Sequence, residues 1–153
     1  MEKIRNLILG IAHKVSPLAP LLARLAVGYI FIETGWGKLH HLDQITQFFI
    51  KLGIPAANIQ APFVATVELV GGILVFLGLF TRVASIPLIG TMVVAIITAK
   101  MGDVSGLSDL FMLPEFLLIV IFFWLFAAGA GKFSLDQLMC KRCAGTEPCH
   151  LPK

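Results

Sequence analysis

Residues 61–80, APFVATVELVGGILVFLGLF, decide the fold class. Glu68 is the one charged side chain in this run. At a rise of 1.5 Å per residue, a helix of this length spans about 30 Å, the thickness of a bilayer's hydrocarbon core. Pro62 fits the first turn of such a helix, because the amide hydrogen that proline lacks would be unpaired there. The run therefore predicts a transmembrane helix that opens near Pro62.

Three further apolar runs carry a proline near their start: residues 18–36, 83–99 and 111–131. The run 83–99 is shorter than the roughly 20 residues that a span needs, and Lys100 lengthens it by extending its ammonium group to the interface. Only helices and closed barrels satisfy the backbone in lipid, and no run shows the alternation of barrel strands. The predicted fold is an all-α integral membrane bundle of four helices.

Composition indicates a single membrane domain, because 58% of the residues are hydrophobic and 14% charged, against roughly 25% charged in soluble proteins. The domain is expected over residues 18–136, after an amphipathic lead-in over 1–17 and before a cytoplasmic, cysteine-containing tail over 137–153. Residues 40–60 place apolar side chains at helical spacing, which predicts a short amphipathic helix in the first outer loop. The basic residues form no stripe, so no nucleic-acid partner is predicted.

Five short motifs follow one another along the chain: RLAVGYIFIETGWGKL at 24–39, LGIP at 52–55, ELVGG at 68–72, GLFTR at 78–82 and GAGKFSLD at 129–136. Their order and spacing are similar to those of the DoxX family of small four-helix bacterial membrane proteins. The resemblance extends over residues 21–136. The pattern departs from the family before Glu115, at Lys100 and in the tail after Asp136.

The resemblance to DoxX implies a component of a redox or thiol-stress system in the bacterial inner membrane. It implies a quinone or a small reduced species as the molecule handled, and partner subunits of a membrane redox complex or further copies of the chain as partners beside the lipid bilayer. The chain would then be a membrane subunit of an oxidoreductase complex. A small proton-coupled transporter and a scaffold without chemistry remain the alternatives.

Three carboxylates, Glu33, Glu68 and Glu115, fall in one outer layer, about 5, 10 and 6 Å below the outer edge of the hydrocarbon. Ionisable groups at such depths usually face the bundle interior and mark functional sites. Glu33 is expected to extend outward, and Glu115 suits the dipole at a helix start. Glu68 is the main candidate, with Lys38 or Lys100 as its partner, and both a catalytic and a structural role are open for it.

One face of the first helix predicts helix packing, since its members recur at steps of three and four residues. They are Arg24, Gly28, Phe31, Gly35 and Lys38. The packing motif continues elsewhere in Gly71, Gly72, Gly78 and Arg82. The two arginines are expected to anchor at the lipid headgroups, with Asp136 as the nearest acidic partner for Arg24.

The tail offers three thiols and one imidazole, at Cys140, Cys143, Cys149 and His150. A Cys-x-x-Cys pair binds a metal or acts as a redox dithiol, and neighbouring cations favour the thiolate. The spacing matches no standard zinc module, so a tail without chemistry is the competing interpretation.

The distribution of Lys and Arg predicts the orientation. Nine lie at the termini and on the inner side: Lys3, Arg5, Lys14, Arg24, Arg82, Lys132, Lys141, Arg142 and Lys153. Three lie on the outer side: Lys38, Lys51 and Lys100. Basic residues stay in the cytoplasm, so both termini are predicted to be cytoplasmic.

Reporter fusions test this topology. Fusions after residues 55, 82, 105 and 145 should report outside, inside, outside and inside, because four spans carry the chain back and forth. An inverted pattern, or one with two spans, would contradict the architecture.

Overall fold

The computed structural model describes residues 9–10, 17–102, 104, 106–129, 131 and 134–136, and its regular elements are helices. In chain order they are α1 (Leu18–His40), α2 (Leu42–Lys51), α3 (Ala57–Leu77), α4 (Thr81–Ala95) with a π-helical turn (Ile96–Lys100), α5 (Leu107–Met112) and α6 (Pro114–Ala128). The predicted all-α fold is confirmed.

Four of these helices form the bundle. α1 packs most extensively on α3 and α4 on α6, while α3 contacts α4 and α1 contacts α6. The rings of Phe31 and Phe122 meet edge to face across the α1–α6 contact, with centroids 5.0 Å apart. The buried core around them comprises Val27, Phe31, Val75, Ala84, Leu88, Met92, Phe122 and Leu125. Large apolar side chains such as Leu22 and Phe63 cover the outside, as lipid-facing helices require.

Within the described residues, three helices are long and apolar enough to cross a membrane: Leu18–His40, Ala57–Leu77 and Thr81–Lys100. The run 83–99, which looked short from sequence, lies in a 20-residue helix that begins at Thr81 and ends with the π-helical turn at Lys100. The fourth helix, α6, has 15 residues, or about 22 Å, so the predicted span over 111–131 was too long. Leu113 is extended, with ψ of 128°, because Pro114 disfavours helical backbone in the residue before it.

Helix α3 begins at Ala57, so the prediction that Pro62 opens it was wrong. Pro62 lies inside the helix, where it has no amide hydrogen to donate to the carbonyl of Asn58. The first turns of α3 pack against α2, the predicted amphipathic helix of the first loop. Gly78 closes α3 with φ of 70°, a left-handed conformation that glycine adopts without a steric penalty.

The contact between α1 and α3 is a glycine seam, formed by Gly28, Gly35 and Gly72. A methyl group on Gly35 would lie 2.5 Å from the Leu69 nitrogen, and one on Gly28 would lie 2.8 Å from the Phe76 Cα. A methyl group on Gly72 would approach the backbone of α1 to 2.9 Å. The two helix backbones are therefore in direct contact, which small residues permit in membranes.

Substituting alanine in the seam should destabilise the bundle. Gly72→Ala should lower the free energy of unfolding by about 1–3 kcal/mol, the usual cost of overpacking a close-packed contact. Gly90→Ala is the matched control, because nothing lies within 4 Å of the added methyl group. Thermal unfolding in detergent compares the two, and an equal loss in both would contradict the close approach of α1 and α3.

Candidate functional site

The three predicted carboxylates occupy different environments. Glu68 is 1% exposed and lies within α3, eleven residues from its start, or about 16 Å along the helix axis. Glu33 is exposed on the outside of α1, as expected for a side chain that extends away from the bundle. Glu115 is half-buried in the first turn of α6, where the helix dipole favours an anion. Glu68 is therefore the carboxylate of the bundle interior.

Lys38 contacts Glu68 directly. Its Nζ lies 2.6 Å from Oε1 and 2.6 Å from Oε2 and donates a hydrogen bond to each. The two side chains differ in their exposure to solvent. Counting side-chain atoms alone, Lys38 is 30% exposed and Glu68 is 2% exposed. Of the two lysines considered from sequence, Lys38 is the partner seen in the described part of the chain.

The glycine seam explains this geometry. The seam contacts pair Gly28 with Phe76 and Gly35 with Leu69, so α1 and α3 run antiparallel. Lys38 follows Gly35 by three residues, on the same helix face, and Glu68 directly precedes Leu69. The closest backbone approach thus lies beside the pair and carries both side chains to one place.

Burying the Lys38–Glu68 pair costs free energy, and the pair is stable only in a specific geometry. Removing two charges from water costs several kcal/mol per ion, and only close contact with full hydrogen bonding offsets this. Both oxygens of Glu68 accept a bond from the ammonium group, which keeps the carboxylate satisfied. Lys38 has three N–H donors, of which Glu68 takes two. A partly exposed ammonium, held in place by a sealed carboxylate, can bind a hydrogen-bond acceptor or exchange a proton.

Comparison with known proteins decides the family. Residues 19–101, more than half of the chain, match the DoxX family. The chain belongs to the DoxX family. This matched range contains the glycine seam and both members of the pair, and it ends before the GAGKFSLD motif.

The DoxX chain has relatives of similar length. It is 36% identical to the "Uncharacterized membrane protein Rv3486" of Mycobacterium tuberculosis, over 85% of this chain and 86% of that one. It is 32% identical to the "Putative oxidoreductase CatD" of Bacillus subtilis, over 84% of this chain and 92% of that one. It is 31% identical to the "Inner membrane protein YphA" of Escherichia coli, over 90% and 99%. No solved structure matches the chain. With the apolar helices, these relatives support a bacterial inner membrane protein.

The GLFTR and SLD motifs meet at the opposite end of the bundle. Asp136 of the SLD motif accepts a hydrogen bond from the Phe80 nitrogen at 3.0 Å, and its own nitrogen donates to the Gly78 carbonyl at 3.2 Å. Phe80 has φ of 47°, which is uncommon for a residue with a side chain, so these bonds stabilise a strained turn between α3 and α4. The segment after α6 thereby closes the GLFTR turn.

Arg24 lies at this end of the bundle, which we call the closed end because Asp136 covers the GLFTR turn there. Arg24 is 2% exposed, so it is buried in the bundle and does not reach the headgroups. It interacts electrostatically with Asp136, and its guanidinium group lies against Gly78, where a Cβ would overlap it. Arg82 is half-buried and donates from Nη2 to the Ala127 carbonyl at 3.4 Å. The prediction that Arg24 anchors at the headgroups was wrong, because Arg24 begins the helix face that the seam turns toward α3 and is buried in the bundle.

Buried hydroxyl groups at the closed end were not predicted. Thr81, Ser85 and Ser134 are 5% exposed or less. Ser85 donates to the Thr81 carbonyl at 2.7 Å and Ser134 to the Gly131 carbonyl at 3.0 Å. The signal available in the sequence was the position of Thr81 and Ser134 inside the GLFTR and SLD motifs.

The remaining candidates do not join the pair. Lys100 ends the π-helical turn and is half-buried. One oxygen of Glu115 is buried and has no hydrogen-bond partner among the residues that the structure describes. A groove of about 420 Å³ opens between α2 and the start of α3, lined by Leu42, Asp43, Thr46, Gln47, Asn58 and Pro62. The groove lies at the end of the bundle that holds Lys38, because α2 begins directly after α1 ends.

A metal centre is not formed by the described residues, which hold no group of three or more His, Cys, Asp or Glu side chains. The predicted tail ligands Cys140, Cys143, Cys149 and His150 lie outside the described residues. The tail therefore stays a prediction.

The two members of the pair should differ in their importance for stability. Lys38→Met leaves a sealed carboxylate without a partner and should lower the free energy of unfolding by about 3–5 kcal/mol. Glu68→Gln should cost less, because the partly exposed ammonium can turn toward water. Glu33→Gln is the control, with a change below about 0.5 kcal/mol at an exposed site. Denaturation in detergent measures all three, and a Lys38→Met protein as stable as the control would refute the buried pair.

Proposed function

We propose that the Lys38–Glu68 pair is the functional centre of a redox component of the inner membrane, and that it binds a quinone or a similar small redox-active carbonyl compound. The observation that supports this most is a fully satisfied carboxylate–ammonium pair inside an apolar bundle. Ionisable groups at such positions are rare in membrane proteins and usually serve function.

The geometry of Lys38 supports a carbonyl ligand. Two of its three donors hold Glu68, so one N–H remains for a further acceptor, and the Lys38 side chain is partly exposed. The pair is neutral as a whole, so a neutral acceptor such as a quinone oxygen enters without the cost of burying a further charge. Lys38 donates to that oxygen, and Glu68 keeps Lys38 in place.

The same pair handles a proton. Reduction of a quinone to a hydroquinone takes up two electrons and two protons. In this proposal a partner redox subunit supplies the electrons, Lys38 gives one proton to the quinone oxygen, and water at the Lys38 end supplies the second and restores Lys38. Glu68 holds the Lys38 ammonium group in place between turnovers through its two hydrogen bonds. The Bacillus subtilis relative named as an oxidoreductase supports a redox role.

The pair lies on the outer side of the membrane in this proposal. The nine-to-three bias of Lys and Arg predicts that both termini are cytoplasmic, and Lys38 is near the opposite end of α1. Quinone diffuses within the bilayer and approaches the pair from the lipid.

Bound quinone tests the proposal. The intact protein is purified from membranes in mild detergent, and extracted quinone is measured by mass spectrometry per mole of protein. Glu68→Gln should reduce the quinone content at least about tenfold, because loss of one charge-assisted hydrogen bond network costs about 1.5–3 kcal/mol. Glu33→Gln, the same change at an exposed site of the same outer layer, should retain it.

Two results would contradict the proposal. Equal quinone content in Glu68→Gln and the parent would remove the pair from the binding site. Absence of quinone in the parent, together with proton-driven solute flux into liposomes that Glu68→Gln abolishes, would instead assign the pair to a proton-coupled transporter.

A further inference from the structure

Gly35 lies at the tightest point of the glycine seam. A Cβ there would lie 2.5 Å from the nitrogen, 2.8 Å from the Cα and 2.9 Å from the Cβ of Leu69. Two of these three atoms belong to the backbone of α3, so no side-chain rotation could relieve the overlap. A larger residue at position 35 would have to push α1 and α3 apart locally.

That separation would act on the Lys38–Glu68 pair. Lys38 lies one helical turn beyond Gly35, and Glu68 is bonded to Leu69, so both side chains project from the contact that Gly35 sets. Lys38 Nζ lies 2.6 Å from both oxygens, so a wider backbone separation at Gly35 acts directly on both of these short hydrogen bonds. The distance between the helices at Gly35 therefore controls the geometry of the pair.

We propose that Gly35 is a positioning residue, which sets the backbone distance at which Lys38 bonds both oxygens of Glu68. The consequence for ligand binding rests on the function proposed above, whereas the effect on the pair does not. Gly35 touches no ligand in this account and acts through Lys38 and Glu68.

The chain offers two controls for this role. Gly28 is in the same seam, about 10 Å along α1 from Gly35, and its added Cβ would meet the Phe76 backbone at 2.8 Å. Gly28→Ala thus disturbs the packing of α1 and α3 away from the pair. Gly37 is next to Lys38, but nothing lies within 4 Å of a Cβ built on it. Gly37→Ala thus adds a methyl group near the pair without moving the helices.

The test is a double-mutant cycle of Lys38→Met and Glu68→Gln, read as midpoints of thermal unfolding in detergent. It is carried out in the parent and in the Gly35→Ala, Gly28→Ala and Gly37→Ala backgrounds. In the parent the two changes should be strongly non-additive, because the double variant leaves no buried charge unpaired. Gly35→Ala should make them additive within error, whereas Gly28→Ala and Gly37→Ala should leave the non-additivity as in the parent.

If Gly35→Ala acted only through a general loss of packing, Gly28→Ala and Gly35→Ala would lower the unfolding midpoint alike. The non-additivity of Lys38→Met and Glu68→Gln would then be the same in both backgrounds, and that result would overturn the proposal. A second variant avoids the case in which Gly35→Ala fails to fold. Glu68→Asp shortens the carboxylate by one methylene while the seam stays intact. Coupling to Lys38 should then be lost, and full coupling in Glu68→Asp would show that the pair tolerates a wider gap and would refute the need for Gly35.

Quinone content separates this proposal from the function proposed above. If Gly35→Ala loses the coupling and at least about tenfold of the bound quinone while Gly28→Ala retains both, Gly35 positions a functional pair. If Gly35→Ala loses the coupling but keeps its quinone, the positioning role stands and the assignment of quinone to the pair fails.

Discussion

Helices α1 and α3 lie so close that a single methyl group at Gly28, Gly35 or Gly72 would meet backbone atoms of the facing helix. Apolar side chains gain little by leaving lipid for a protein interior, so contact between membrane helices depends on close van der Waals packing. The three glycines permit this close packing along the middle of α1, between residues 28 and 35. The position of both ends of α1 relative to α3 follows from it.

Each end of the seam carries a buried charge. At one end Lys38 holds Glu68 with two hydrogen bonds, and at the other Arg24 lies against Gly78 near Asp136. The two ends differ in what surrounds them. The segment ending at Asp136 closes the Arg24 end, whereas Lys38 stays partly exposed near the loop that contains α2. The open end therefore has the access that a small ligand needs, and the closed end holds the turn between α3 and α4 in place.

Sequence patterns predicted the helical bundle, the amphipathic helix of the first loop, and the shared face of Arg24, Gly28 and Lys38, because hydrophobic length and helical period are local properties. The ends of the helices were harder to predict from the sequence. The early start of α3 before Pro62 depends on its packing against α2, and the break at Leu113 depends on Pro114, which apolar length alone does not reveal. The choice of Lys38 over Lys100 as partner of Glu68 depends on the register of two helices, which only the seam contacts define.

The seam holds Lys38 and Glu68 in direct contact inside the bundle. Solid-state NMR of the protein in lipid bilayers, with ¹⁵N in the lysine side chains and ¹³C in the glutamate carboxyl groups, tests it most directly. We expect a dipolar contact between Lys38 Nζ and Glu68 Cδ that disappears in Glu68→Gln and persists in Glu33→Gln. A spectrum in which Lys38 Nζ shows no carboxyl contact, or contacts a carboxyl group other than that of Glu68, would contradict it.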